Sequence, residues 1–200
     1  MECSPIKVLL IHGNDMGQSV RYLCKVPVEA LAAKLQDKSL FGKYNWRKDK
    51  YAHSDMEDIW VRYNHPSNVG NTFNDEHDSV WYPVLEDIPE VLPIVFGLMA
   101  AVGGERLGGV LITKLPAGGS IKPHIDEGWH AGYYSKYFVP IQNDDGAVFC
   151  WDGLELNPLA GEVYEFDNSV LHWVENRSNR DRIAMIVCIK PFGGGRIGSA

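Results

Sequence analysis

At 200 residues and 45% hydrophobic content, the chain suits one globular domain whose core needs no disulfides. A net charge of -7, with no Lys/Arg cluster beyond "YNWRKDK" at 44–50, argues against a duplex nucleic-acid binder held by phosphate contacts. The amino-terminal "MECSPIKVLLIHGND" has an apolar stretch too short for a membrane span and no small-residue cleavage site, so the expected location is cytoplasmic.

Taken in chain order, "VLLIHGND" is similar to the strand and turn of α/β-hydrolases, but that reading requires a G-x-S-x-G elbow and the chain has none. "VPVEALAAKLQD" carries apolar residues at helical spacing behind Pro27, which predicts a helix near 28–37. "DIWVRY" at 58–63 alternates and reads as a strand. "IPEVLPIVFGLMAAVGGE" reads as a helix from about 89 to 102, stopped by Gly103-Gly104. From "GGVLITKLPAGGSI" onward the texture changes to short apolar runs at 109–115, 136–142, 147–151, 162–166, 171–175 and 182–190, separated by turn residues such as Gly118-Gly119 and "NDDG". The expected architecture is a mainly β core of double-stranded β-helix (jelly-roll, cupin-like) type in an α+β chain, with an amino-terminal helical layer packed on it. A single domain over 1–192 divides into a support at 1–106 and a β-core at 107–192, and the Gly-rich 193–200 reads as a flexible tail. The cysteines Cys3, Cys24, Cys150 and Cys188 form no C-x-x-C pair and read as reduced thiols, the last two inside apolar strands.

"SIKPHIDEGWH" at 120–130 carries the chemistry. An H-x-D written at a strand end places His124 and Asp126 on one side, because alternate residues share a face. A second imidazole from an adjacent strand would complete the two-His, one-carboxylate facial triad of non-haem iron sites, which leaves coordination positions open. His172 in "EFDNSVLHWVEN" meets that need, whereas His130 sits too close in a loop. Arg182 opens the last apolar strand, and a guanidinium there could hold the far carboxylate of a metal-chelating 2-oxo acid. Singly, each residue has an ordinary reading: His172 as a satisfied core histidine, Arg182 as a surface ion-pair partner, Asp126 as a turn cap. A second H-x-D, His53–Asp55, lies in the charged "RKDKYAHSDMED" with no apolar strand before it and is assigned to a solvated loop.

The stretch "LITKLPAGGSIKPHIDEG … KYFVPIQNDDGAVF … LAGEVYEFDNSVLHWVENRSNRDRIAMIVCI", about 107–192, resembles the aspartyl/asparaginyl β-hydroxylase-like branch of the Fe(II)/2-oxoglutarate-dependent oxygenases. The resemblance implies a double-stranded β-helix, with iron on His124, Asp126 and His172 and the 2-oxoglutarate C5 carboxylate on Arg182. It also implies that Thr113 in "LITKLP" helps hold the cosubstrate. Where the family commonly opens a strand with R-x-H-x-P-L, this chain has Lys136 and Phe138, so Lys136 offers the cosubstrate a charge without a planar fork. By the same resemblance the chain is a dioxygenase using Fe(II), 2-oxoglutarate and O₂ to hydroxylate a C–H bond of an amino acid or of an Asp, Asn or Pro residue, releasing succinate and CO₂. Its expected partner is a small amino acid or a peptide or protein substrate. Candidate substrate contacts are Trp129, His130 and Tyr133 in "EGWHAGYYSKY", with Trp60 and Arg62 of "DIWVRY" as further cavity candidates; the alternative for the former segment is a packed surface loop. Two other readings stand beside this one: a cupin-like metal enzyme without 2-oxoglutarate, discriminated by Arg182, and a non-catalytic β-sandwich module, discriminated by metal content.

Overall fold

The computed structural model describes residues 19–44, 46–47, 51–70, 72–151 and 153–193. Cys3, the "VLLIHGND" stretch and the tail from 194 onward lie outside the described residues.

The chain enters through β1 (Val20–Lys25), α1 (Glu29–Lys34), β2 (Glu57–Tyr63), β3 (Val80–Trp81) and α2 (Val91–Ala101). The second half runs through β4 (Gly104–Leu115), β5 (Ser120–His124), α3 (Trp129–Tyr133), β6 (Ser135–Gln142), β7 (Ala147–Trp151), β8 (Leu154–Leu156), β9 (Glu162–Phe166), β10 (His172–Asn176) and β11 (Arg182–Pro191). Seven strands form one sheet in the order β1-β9-β6-β11-β4-β2-β3, and four form a second in the order β5-β10-β7-β8. The paired strands are antiparallel throughout.

Period-two alternation decides which layer each strand feeds. In β6, Tyr137, Val139 and Ile141 join Leu31, Val91, Val95 and Leu98 in the core beneath α1 and α2. Phe138, between them, faces the other way and packs with Phe149, Tyr164 and Phe166 between the sheets. In β11, Ile183, Met185, Val187 and Ile189 likewise face the helices. Their neighbours Arg182, Ala184, Ile186 and Cys188 turn inward and line a cavity. A strand buried on both faces thus places Arg182, 3% exposed, at the cavity wall.

The amino-terminal half is less helical than its sequence suggests. β1, β2 and β3 all join the seven-stranded sheet, and the two helices of this half cover its outer face. β1 sits at an edge, where only Leu23 and Cys24 are buried, so its alternation is muted. β5, "SIKPH", carries Lys122 and Pro123 and has no buried residue, which fits an edge strand but gives no hydrophobic signal. Cys150 and Cys188 are buried free thiols, as expected, and Cys24 is buried as well. Among the described residues no helix is long and apolar enough to cross a membrane.

One tight approach joins the layers. Gly161 has φ +83°, and an added Cβ would lie 2.4 Å from the Val26 carbonyl oxygen. Its own backbone accepts from Val26 N and donates to Pro140 O, each at 2.8 Å. Gly153 has a comparable φ of +74° but open space around it. Gly161→Ala should therefore cost at least about 2 kcal/mol in urea unfolding, against about 1 kcal/mol for Gly153→Ala. Equal losses would show that the close approach to Val26 carries no weight.

Candidate metal centre

The two β5 and β10 histidines are direct cross-strand partners: His172 stands opposite His124. Their rings lie 4.5 Å apart between centroids. Each ring is oriented the same way by its own strand. His124 Nδ1 sits 2.7 Å from the Lys122 carbonyl oxygen and His172 Nδ1 2.9 Å from that of Val170. A carbonyl only accepts, so each Nδ1 is the donor and each Nε2 is left to face the partner strand. Asp126 follows two residues past the end of β5, held by its backbone N–H to Asn168 O at 3.1 Å. Its two oxygens divide between the rings, Oδ1 at 3.7 Å from His124 Nε2 and Oδ2 at 3.7 Å from His172 Nε2. One ligand atom from each of the three lies within 4.8 Å of the others. Two imidazole nitrogens and one carboxylate, converged and pre-oriented by carbonyls, form a donor set that fits a single Fe(II).

Electrostatics favour the deprotonated forms that a metal needs. Burial pushes the Asp126 carboxyl up, but the adjacent Lys136 ammonium and the two histidines outweigh it and hold the carboxyl well below its usual range. Lys136 Nζ donates to Asp126 Oδ2 at 2.5 Å. Burial pulls His172 below its usual value despite the opposing pull of Asp126, which favours the neutral ring.

Arg182 is the most unusual charge in the molecule. It is 3% exposed, and its Nε has no hydrogen-bond partner. Burial pushes the guanidinium down to about 10, and the only other influence on it is the Cys150 thiol. No carboxylate of the described residues pairs with it. A buried unpaired cation is costly, and an anion supplied from outside the chain would relieve that cost. Thr113 lies on β4 next to β11 and is also buried. Its hydroxyl accepts from Arg47 at 3.3 Å, and Arg47 in turn grips Asp58 with two hydrogen bonds of 2.8 and 2.9 Å. Arg47 was hidden within a charged run that reads as surface; the signal that could have exposed it is Asp58, an acid at an inward position of β2 that requires a cation.

The triad, Arg182, Thr113, Lys136, His130 and Arg62 all line one cavity of about 410 Å³. Trp60 lines it too. Trp129 and Tyr133 do not; they stack on each other at 5.0 Å, and Tyr133 lies under Arg106 and Lys190. The segment 127–137 is thus neither wholly wall nor wholly surface loop: the short α3 turns His130 and Ala131 inward and Trp129 and Tyr133 away. His53 corrects its assignment to a solvated loop. Its ring is 4.8 Å from His124 and it lines the cavity, because Asp55 accepts from Ser120 N and ties its segment to β5.

The sequence model of the aspartyl/asparaginyl β-hydroxylase family matches residues 35–191. The chain belongs to this family. It is accordingly a 2-oxoglutarate-dependent non-haem iron hydroxylase, and Fe(II), 2-oxoglutarate and O₂ are its cofactors. Solved structures of similar shape include a 2OG-Fe(II) oxygenase-family oxidoreductase from Burkholderia pseudomallei, at 14% identity and TM-score 0.55, over 90% of this chain and 88% of that one. Another is a prolyl hydroxylase from Trichoplax adhaerens, in complex with a hypoxia inducible factor peptide fragment, at 14% identity and TM-score 0.52, covering 81% and 76%. A third is a Pseudomonas putida prolyl-4-hydroxylase, at 16% identity and TM-score 0.51, covering 82% and 86%. At such identities the likeness shows the shared jelly-roll fold. No curated protein sequence matches the chain.

His130 gives a pH test of the cavity wall. Gly109 N donates to its Nε2 at 3.1 Å, and burial pushes the ring down from 6.5 to about 3. Unfolded His130 takes up its proton near 6.5 and folded His130 only near 3, so the unfolded state holds more protons between these values. This contribution to stability is complete above about 6.5 and falls as pH drops toward about 3. Urea unfolding across that window should show a shallower pH slope for His130→Gln than for the native chain, by close to one proton. Identical slopes would mean that the ring is not held neutral.

Proposed function

We propose that this hydroxylase inserts oxygen into a C–H bond of an amino acid or an amino-acid side chain held in the 410 Å³ cavity. His124, Asp126 and His172 would hold the iron and Arg182 the far carboxylate of 2-oxoglutarate. When bound, iron and cosubstrate supply the oxidising power: O₂ and 2-oxoglutarate become succinate and CO₂ as one C–H becomes C–OH. The observation that carries the reading is Arg182, a buried guanidinium without a protein acid, inside the cavity that contains the two-histidine, one-carboxylate cluster.

The chain's own groups divide the remaining work. The Lys122 and Val170 carbonyls hold the two imidazoles in the tautomer that presents Nε2. Lys136 keeps Asp126 ionised and offers a cosubstrate carboxylate a point charge. The Arg47–Asp58 pair fixes the Thr113 hydroxyl beside the place Arg182 reserves for an anion. Phe149 and Phe166 add apolar surface to the cavity wall, which lowers the local dielectric and strengthens the charges inside. A peptide occupies the Trichoplax structure, which supports a peptide or protein side chain as one form of substrate. A free amino acid is the other.

Anaerobic titration with Fe(II) and 2-oxoglutarate should produce the weak visible charge-transfer band of a chelate. His172→Ala should abolish it, and Arg182→Met should require on the order of a hundredfold more 2-oxoglutarate. Without ligands, Arg182→Met should also be more stable than the native chain by about 1–2 kcal/mol, because it removes an unpaired buried charge. A native chain that binds iron but forms no band would refute the assignment of this cavity, with Arg182 in it, as the place where 2-oxoglutarate meets the metal.

A further inference from the structure

β2 turns Asp58 and Trp60 away from Ile59 and Val61, which face the helices, and past a register shift between Trp60 and Arg62 the Arg62 side chain lines the cavity beside them. Asp58 is fully engaged by Arg47. Trp60 and Arg62 are not. Trp60 is 6% exposed, and its indole Nε1 is buried with no acceptor. Arg62 Nε is also buried with no acceptor. Among the described residues, the one hydrogen bond of the Arg62 side chain is a long one of 3.4 Å to the Leu107 carbonyl, and its guanidinium lies over the Trp81 ring at 5.0 Å. The acid closest in influence, Asp78, is exposed and taken by Arg106. Buried donors without acceptors are rare in folded proteins, and two neighbouring ones on a cavity wall call for an acceptor from a ligand.

The charges of the cavity narrow the ligand. Arg47 is offset by Asp58 and Lys136 by Asp126. Glu127 lines the cavity but is exposed and makes no ion pair with any described cation. On the reading above, Arg182 is met by the far carboxylate of 2-oxoglutarate, which leaves Arg62 as the cation of this wall without an acid. A guanidinium that lies over an indole ring and has no acid partner can still offer its paired N–H groups to a planar two-oxygen anion.

We infer that Arg62, with the Trp60 indole N–H beside it, is the specificity determinant of this hydroxylase and binds a carboxylate of the substrate, separate from the carboxylates of the cosubstrate. This inference rests on the proposed function for the occupant of Arg182. The carboxylate has two possible sources, the α-carboxylate of a free amino acid or the acidic side chain of a peptide.

The test is calorimetric titration of the anaerobic Fe(II)- and 2-oxoglutarate-loaded protein with matched acid and amide probes. L-Proline and L-aspartate are compared with their C-terminal amides for the first source, and a capped pentapeptide centred on Asp with its Asn twin for the second. At least one acid should bind about tenfold or more tightly than its amide. Arg62→Gln should remove that preference by weakening the acid and not the amide, and Arg62→Lys should restore part of it. The pair that shows the preference identifies the source. Equal binding of acid and amide, equal weakening of both by Arg62→Gln, or no binding of any acid to a protein whose chelate band is intact would each overturn the inference. A protein that forms no chelate band at all instead refutes the reading on which it rests.

Discussion

The antiparallel pairing of β10 with β5 is the constraint on which the site depends. It sets His172 directly opposite His124, two residues that lie far apart in sequence. Because side chains alternate along a strand, a slip of one residue would send the His172 ring out of the cavity and destroy the donor set. The register is fixed from both sides, since β10 also pairs with β7, where His172 meets Trp151. Beyond the strand end, the Asp126 N–H to Asn168 O bond continues the same alignment, and the Asn168 side chain reaches on to Ala131 of α3. The candidate metal ligands, the short helix and one wall of the cavity are therefore parts of one hydrogen-bonded framework.

Charge is distributed unequally within that framework. Of the four Lys/Arg side chains that line the cavity among the described residues, two are neutralised by protein acids, Arg47 by Asp58 and Lys136 by Asp126. Arg182 and Arg62 are not. Burying a lone guanidinium, as at Arg182, costs more than an apolar side chain of similar size would. Both Arg182 and the half-buried Arg62 line the cavity that contains the candidate metal ligands, and on the proposed function each is completed by a ligand. The seven-stranded sheet can carry this cost because its other face is a continuous apolar core beneath α1 and α2.

Much of the β-core was legible from sequence because turn residues punctuate it and its strands are apolar. "VPIQNDDGAVFCW" announces β6, a turn and β7 without ambiguity. The family resemblance was equally readable from "PHID" and "GEVYEFDNSVLHWVEN". β1 and β5 were not legible, since an edge strand buries few residues and needs no hydrophobic alternation. His53 was misjudged because burial in three dimensions, against His124, does not follow from a polar local sequence. Arg47 was missed for the same reason, although the acid it serves stood in a strand that was correctly read. In the aromatic segment 127–137, helical geometry over a mere five residues divided inward from outward side chains, too short a span for periodicity to show.

The most direct test of the central claim is a crystal structure with Mn(II) and N-oxalylglycine, an unreactive stand-in for 2-oxoglutarate. The metal should sit on His124, Asp126 and His172, and the far carboxylate of the analogue should pair with the Arg182 guanidinium. A metal on other residues, or an analogue whose far carboxylate lies away from a still unpaired Arg182, would contradict it.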